Sequence, residues 1–194
     1  MKKIIFFAFV LISTASFAQF SKGSILLGGS VSADFTTNKT IAGSTTTTNS
    51  STNSFSISPN VGYFVIDNLA VGGALQFNTT STKDDGSRAS FSSNSFALQP
   101  FGRYYFDKFY AQASFGFGSY KSENTNGNGI TTTNKGSLFN WALAGGYVFL
   151  LNDHVGLEPQ IGYGSQSQSP DGSNVTVRDA GLFLRLGIQV YLTK

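Results

Sequence analysis

From Ser24 to Phe35 the chain reads SILLGGSVSADF, with Ile25, Leu27, Gly29, Val31, Ala33 and Phe35 at alternate positions and Leu26, Gly28, Ser30, Ser32 and Asp34 between them. A side-chain period of two belongs to a β-strand with one apolar face. The same alternation returns over residues 53–66, 69–79, 94–106, 109–120, 137–150, 155–166 and 179–192. No comparable stretch repeats at 3.6 residues, so the chain is predicted to be all-β, with eight strands and no helix beyond its N-terminus.

The connections alternate in length. Asp67-Asn68, Asp107-Lys108 and Asn152-Asp153-His154 mark tight hairpins, because Asn and Asp tolerate turn backbone and hydrogen-bond to it. Between them lie four longer stretches rich in Ser, Thr, Asn and Gly, residues 36–52, 80–93, 121–136 and 167–178, which read as long loops. Consecutive antiparallel strands joined in this way gather the long loops at one end and the short turns at the other. FVIDNLAVGG, YYFDKFYAQA and VFLLNDHVGLE are three imperfect versions of one hairpin.

A soluble sandwich also has half-buried strands. Strand length argues against it, since ordinary strands run to about 5 or 6 residues and a bilayer needs about 9 to 11. Charge does too: Asp, Glu, Lys and Arg make up 12% of the chain, where soluble domains carry roughly 25%. The face opposite the apolar one is small or uncharged, with Gly28, Ser30, Ser56, Asn60, Gly72, Gln76, Gln99, Gln112, Ser114, Gly116, Asn140, Ala144, Gln160, Gly162 and Gly187. Aromatic residues on the apolar face fall at both strand ends: Tyr63, Tyr104, Phe106, Phe109, Tyr147 and Phe149 beside the short turns, and Phe35, Phe55, Phe77, Phe96, Phe117, Phe139 and Trp141 toward the long loops. Two aromatic belts around an aliphatic band are the pattern of a transmembrane barrel. Hydrocarbon leaves no solvent for an open sheet edge, so the first strand must pair with the last. The expected architecture is an eight-stranded antiparallel up-and-down transmembrane β-barrel.

The N-terminus reads as a secretory leader; the alternative, a buried N-terminal strand or helix, has to explain Lys2, Lys3 and the polar switch at Gln19. Lys2 and Lys3 precede the apolar run IIFFAFVLI, and STASFA ends on Ser16 and Ala18, small residues placed for a signal peptidase. Cleavage between Ala18 and Gln19 makes residues 1–18 a signal peptide and 19–194 the barrel domain. Losing Lys2 and Lys3 takes the formal charge from +3 to +1, so the precursor's basic balance says little about partners.

The hairpins GYFVIDN (62–68) and RYYFDKFY (103–110) resemble those of the small eight-stranded outer-membrane barrels, the family that includes the transmembrane domain of outer-membrane protein A and outer-membrane protein X. The resemblance covers residues 23–192. It implies a bacterial outer-membrane porin-family barrel with both mature termini in the periplasm. Arg103, Glu158 and Arg185 are charges on the inward face, and a buried charge has to be paired. The proteins resembled hold internal Arg/Glu networks that plug the lumen, and by that analogy Glu158 is the shared acceptor of Arg103 and Arg185. Static plug and narrow gated pore are both open readings. The C-terminal GIQVYLTK keeps Ile188, Val190 and Leu192 but ends on Thr193-Lys194, so Tyr191-Leu192 is expected to act as a displaced version of the terminal aromatic signal read by the barrel assembly machinery.

Catalysis is not expected. There is no cysteine, and the one histidine, His154, sits in a short turn away from the long-loop rim. A serine nucleophile there lacks its base. No cofactor or metal is expected: Asp84, Asp85, Glu123 and Asp171 read as solvated loop charges, and TKDDG is too short for an EF-hand loop. Basic residues are too few and scattered for nucleic acid. The expected partners are outer-membrane lipids and lipopolysaccharide, with the barrel itself a monomer. The alternatives are a surface adhesion or binding protein acting through the Ser/Thr-rich loops, and a soluble ligand-binding barrel, which requires the large apolar side chains to point inward.

Overall fold

A computed structural model describes residues 20–42, 45–85 and 87–193. The strands are β1 (Ile25–Ala42), β2 (Thr45–Ile66), β3 (Leu69–Asp84), β4 (Ser90–Phe106), β5 (Phe109–Thr125), β6 (Thr131–Tyr147), the two-residue β7 (Phe149–Leu150), β8 (Val155–Pro170) and β9 (Val177–Leu192). From β1 to β6, and from β8 to β9, each strand pairs antiparallel with its sequence neighbour; β6 and β7 both pair with β8 and share one wall position, and β1 pairs with β9 from Ile25↔Leu192 to Val31↔Leu186. The result is a closed eight-strand antiparallel barrel. The break after Tyr147 has a local cause: the β6–β8 register leaves Pro159 next in line after Gly146↔Gln160, and proline has no N–H to give the ladder.

The two-residue turns carry the backbone that their residues favour, with φ of 65° at Asn68 and 58° at Asp107. At the other end the long loops give way to strand. The ladders continue to Ala42↔Thr45, Lys83↔Ser90, Thr125↔Thr131 and Gln168↔Val177, so most of the residues read as loops belong to the wall. The cause is cross-strand pairing of hydroxyl and amide side chains: Thr52 with Thr82 at 2.9 Å, Ser54 with Thr80 at 3.1 Å, Asn78 with Ser95 at 3.1 Å and Thr125 with Thr131 at 2.8 Å. Threonine is β-branched and suits a pleated surface, whatever its polarity.

The large apolar side chains point outward. Val31, Val61, Leu75, Leu98, Leu143, Ile161 and Leu186 are among some three dozen exposed large hydrophobic residues, far more than a soluble surface tolerates. This is the opposite of a soluble ligand-binding barrel. The belts form contacting rings: Tyr104 lies 4.7 Å from Phe106, Phe109 4.8 Å from Tyr147 and Tyr147 4.6 Å from Phe149 near the short turns. Toward the far end Phe77 meets Phe96 at 5.1 Å, Phe117 meets Phe139 at 5.4 Å and Trp141 meets Tyr163 at 6.1 Å, while Tyr63 is half exposed on the same outer surface. Ala18, Gln19 and the leader 1–18 lie outside the described residues.

Candidate functional site in the lumen

Alternation alone sends Arg103 of β4 and Glu158 of β8 inward, and the strand order puts them three places apart round the wall. They meet across the lumen. Arg103 Nη1 donates to Glu158 Oε2 at 2.7 Å and to the Tyr105 hydroxyl at 3.1 Å, while Arg103 Nε donates to Gln112 Oε1, its register partner on β5, at 2.8 Å. The second carboxylate oxygen of Glu158 accepts from the Tyr191 hydroxyl. Arg103 is 4% exposed and Glu158 1%, so both charges have exchanged water for one another and for hydrogen bonds, the condition under which a buried pair is tolerated. The guanidinium also lies over the Tyr110 ring at 4.3 Å. Gly146 makes room for that ring: a Cβ there would lie 2.3 Å from Tyr110 Cζ.

Below the pair, the short-turn end is filled by Leu26, Phe64, Ala70, Tyr105, Tyr110, Val148 and Tyr191. Phe20 completes this floor from the N-terminal side, stacked on Tyr105 at 4.2 Å and edge-on to Tyr191 at 5.3 Å, with its carbonyl accepting from the Asn68 amide at 2.8 Å. The inward face is therefore small and polar only in its middle and upper parts. These rings were missed because runs such as YYF and KFY are aromatic on both faces, so that the inward ring is masked by its outward neighbours.

Above the pair, Gln99 Nε2 donates to Asn140 Oδ1 at 3.1 Å and Asn140 Nδ2 to Gln76 Oε1 at 3.0 Å, a buried amide chain across the lumen. The cavity at the level of the ion pair measures about 40 Å³, room for about one water. A polar vestibule of about 430 Å³ opens above it.

Arg185 does not join Glu158. Register sets Glu158 opposite Gly187 and Arg185 opposite Gln160, one inward position farther from the short turns, and the Arg185 guanidinium lies over the Phe183 ring at 4.3 Å. Among the described residues no carboxylate reaches it. The shared-acceptor arrangement is thus replaced by one Arg–Glu pair and a tyrosine. His154 is exposed in the β7–β8 turn, its ring 3.3 Å from the Tyr191 carbonyl, and no group of three acidic, histidine or cysteine side chains is placed to hold a metal among the described residues.

The autotransporter β-domain family matches residues 31–185. Among curated proteins none matches the sequence. Of solved structures, the translocator domain of autotransporter NalP from Neisseria meningitidis is 14% identical with a TM-score of 0.51, covering 97% of this chain and 67% of that one. The β-domain of the Bordetella autotransporter BrkA is 16% identical at 0.50, covering 86% and 69%. Neisserial surface protein A (NspA) is 15% identical at 0.47, covering 87% and 97%. The hairpins pointed to the small eight-stranded barrels and the family match points to the autotransporter β-domain; the fold of outer-membrane barrels is common to both. The chain belongs to the autotransporter β-domain family.

Proposed function

We propose that this chain is a bacterial outer-membrane barrel whose resting lumen is closed, serving as a structural wall element that presents stiff polar hairpins on the outer side. The observation that carries the reading is the Arg103–Glu158 pair at 2.7 Å, backed by Tyr191 and seated on the Phe20–Tyr105 floor. The cavity at that level measures about 40 Å³, too small for a peptide strand. The translocation for which the NalP domain is named is therefore no part of this reading. In this reading residues 1–18 are a leader removed after Ala18, both mature termini face the periplasm, and the role is close to that of outer-membrane protein A or X. No catalytic step is assigned. Membrane lipids and lipopolysaccharide surround a monomeric wall, and the assembly machinery reads the β9 end at Tyr191-Leu192.

A second reading, a narrow gated channel, draws on the vestibule of about 430 Å³ standing directly over the ion pair. Conductance in planar bilayers separates the two. A closed wall element gives a flat trace under voltage; stepwise openings of the wild-type protein would replace the first reading with the second.

A further inference from the structure

The barrel seam is zipped over only part of its height. β1 pairs with β9 from Ile25 to Val31, yet β1 runs on beside β2 to Ala42 and β9 runs beside β8 from Val177. The unpaired stretch begins within the apolar band: Leu184 is opposite Ile161, and Leu182 is opposite Tyr163 of the outer belt, itself opposite Leu143. Backbone groups left unpaired at that depth are tolerated only where they border a polar cavity or are otherwise covered.

Such a cavity is present. A cleft of about 660 Å³ fills the gap, with Ser32, Ser56, Arg185 and the Phe183 ring beneath that guanidinium on its lumen side and Phe55, Leu182 and Leu184 on its lipid side. Phe35, Leu182 and Leu184 are the most exposed large hydrophobic residues, at 79%, 78% and 77%, and they flank the two sides of the open seam. Arg185 stands at the junction of this cleft, the vestibule and the small lumen cavity. Among the described residues its guanidinium lies over the Phe183 ring at 4.3 Å and forms no ion pair or hydrogen bond, which leaves its donors available to an anion.

We propose that the open seam is a binding site for a single-chain acyl carboxylate drawn from the lipid layer, the chain lying along Leu182, Leu184 and Phe55 and the carboxylate held by Arg185 with the help of the seam hydroxyls. Charge complementarity selects the head group, and the division of the cleft into an apolar outer and a polar inner side selects an amphiphile over an alkane or a free anion. The volume is that of a small-molecule site. This goes beyond the closed-wall reading and does not depend on whether the Arg103–Glu158 pair blocks ions.

The test uses the whole barrel in nanodiscs of zwitterionic phosphatidylcholine, with 11-(dansylamino)undecanoate as the probe and protein-free nanodiscs as the baseline. Saturable binding of one probe per barrel is expected. The corresponding neutral dansyl alcohol should bind at least about tenfold more weakly, and Arg185→Gln should weaken carboxylate binding by a similar factor, as loss of one charge-assisted contact would. Arg185→Lys should recover most of the affinity. Signal indistinguishable from protein-free nanodiscs overturns the proposal, and so does equal binding of acid and alcohol by the unaltered protein, an arm that decides the matter even if the Arg185 variants do not fold.

Discussion

Arg103 and Glu158 are bonded at 2.7 Å although they stand on strands three places apart in the wall. The pair therefore ties two sides of the cylinder together. Removing one partner leaves the other charged and dry, a loss of about 3 to 5 kcal/mol. Glu158→Ala is expected to lower the unfolding free energy in micelles by that amount, read as a lower urea midpoint, with Leu143→Ala on the lipid face changing it much less. An unchanged midpoint would show that the pair does not support the fold.

Conductance reads the same variant differently. If the carboxylate is what closes the lumen, Glu158→Ala and Arg103→Ala should each conduct more than the unaltered barrel in planar bilayers. Loss of stability with a flat trace would assign the closure to the aromatic floor instead.

Phe20 tests that floor directly. It is 3% exposed against Phe64, Tyr105 and Tyr191, and truncation of a buried phenylalanine costs about 3 to 5 kcal/mol. Phe20→Ala should show most of that loss in urea unfolding, while Phe20→Leu should show less than half. Because Phe20 would be the second residue of a chain cut after Ala18, N-terminal sequencing of the folded protein should begin at Gln19; a folded species that still begins at Met1 would remove the leader from the reading.

Strand phase was legible in the sequence, since period two places Arg103 and Glu158 inward whatever the register. Stagger was not. Whether Arg185 or Gly187 faces Glu158 depends on the slide of β9 along β8, and both registers related by two residues keep Leu184 and Leu186 outward. The Ser/Thr-rich segments were misread for a different reason: Thr52 and Thr82 belong to a ladder whose two faces are both polar, so alternation vanishes while pairing continues. Tyr110 and Tyr191 were hidden by apolar neighbours on the outer face, and the Gly146 opposite Tyr110 was the available hint that a ring needed space.

Gly146 supplies a prediction of its own. A methyl group there would sit 2.3 Å from Tyr110 Cζ, and Tyr110 in turn supports the Arg103 guanidinium at 4.3 Å. Overpacking of this kind costs about 1 to 3 kcal/mol. Gly146→Ala should therefore destabilise the barrel, and the double variant with Tyr110→Ala should recover part of the loss of Gly146→Ala measured in the Tyr110→Ala background. Strict additivity of the two changes would mean that Gly146 serves something other than the ring.

The proposed orientation in the membrane can be read on whole cells. The short turns at Asn68, Lys108 and Asp153 lie at the Phe20 end, and the opposite end carries the turns around Ser87, Asn128 and Ser173. The chain has no cysteine, so single-cysteine variants give an unambiguous signal. Cysteines at 87, 128 and 173 should react with a membrane-impermeant thiol reagent on intact cells, and those at 68, 108 and 153 only after permeabilisation. The polar ladder extensions support this proposal: Ser/Thr pairs such as Thr125 with Thr131 continue the wall well beyond the outer aromatic belt, a length of polar strand that suits a side facing open medium, while the two-residue turns at Asn68 and Asp107 leave almost nothing beyond the opposite belt. Reaction of the 68, 108 and 153 set alone on intact cells would invert the barrel and place the Phe20 floor at the cell surface; reaction of both sets would remove the membrane-spanning arrangement altogether.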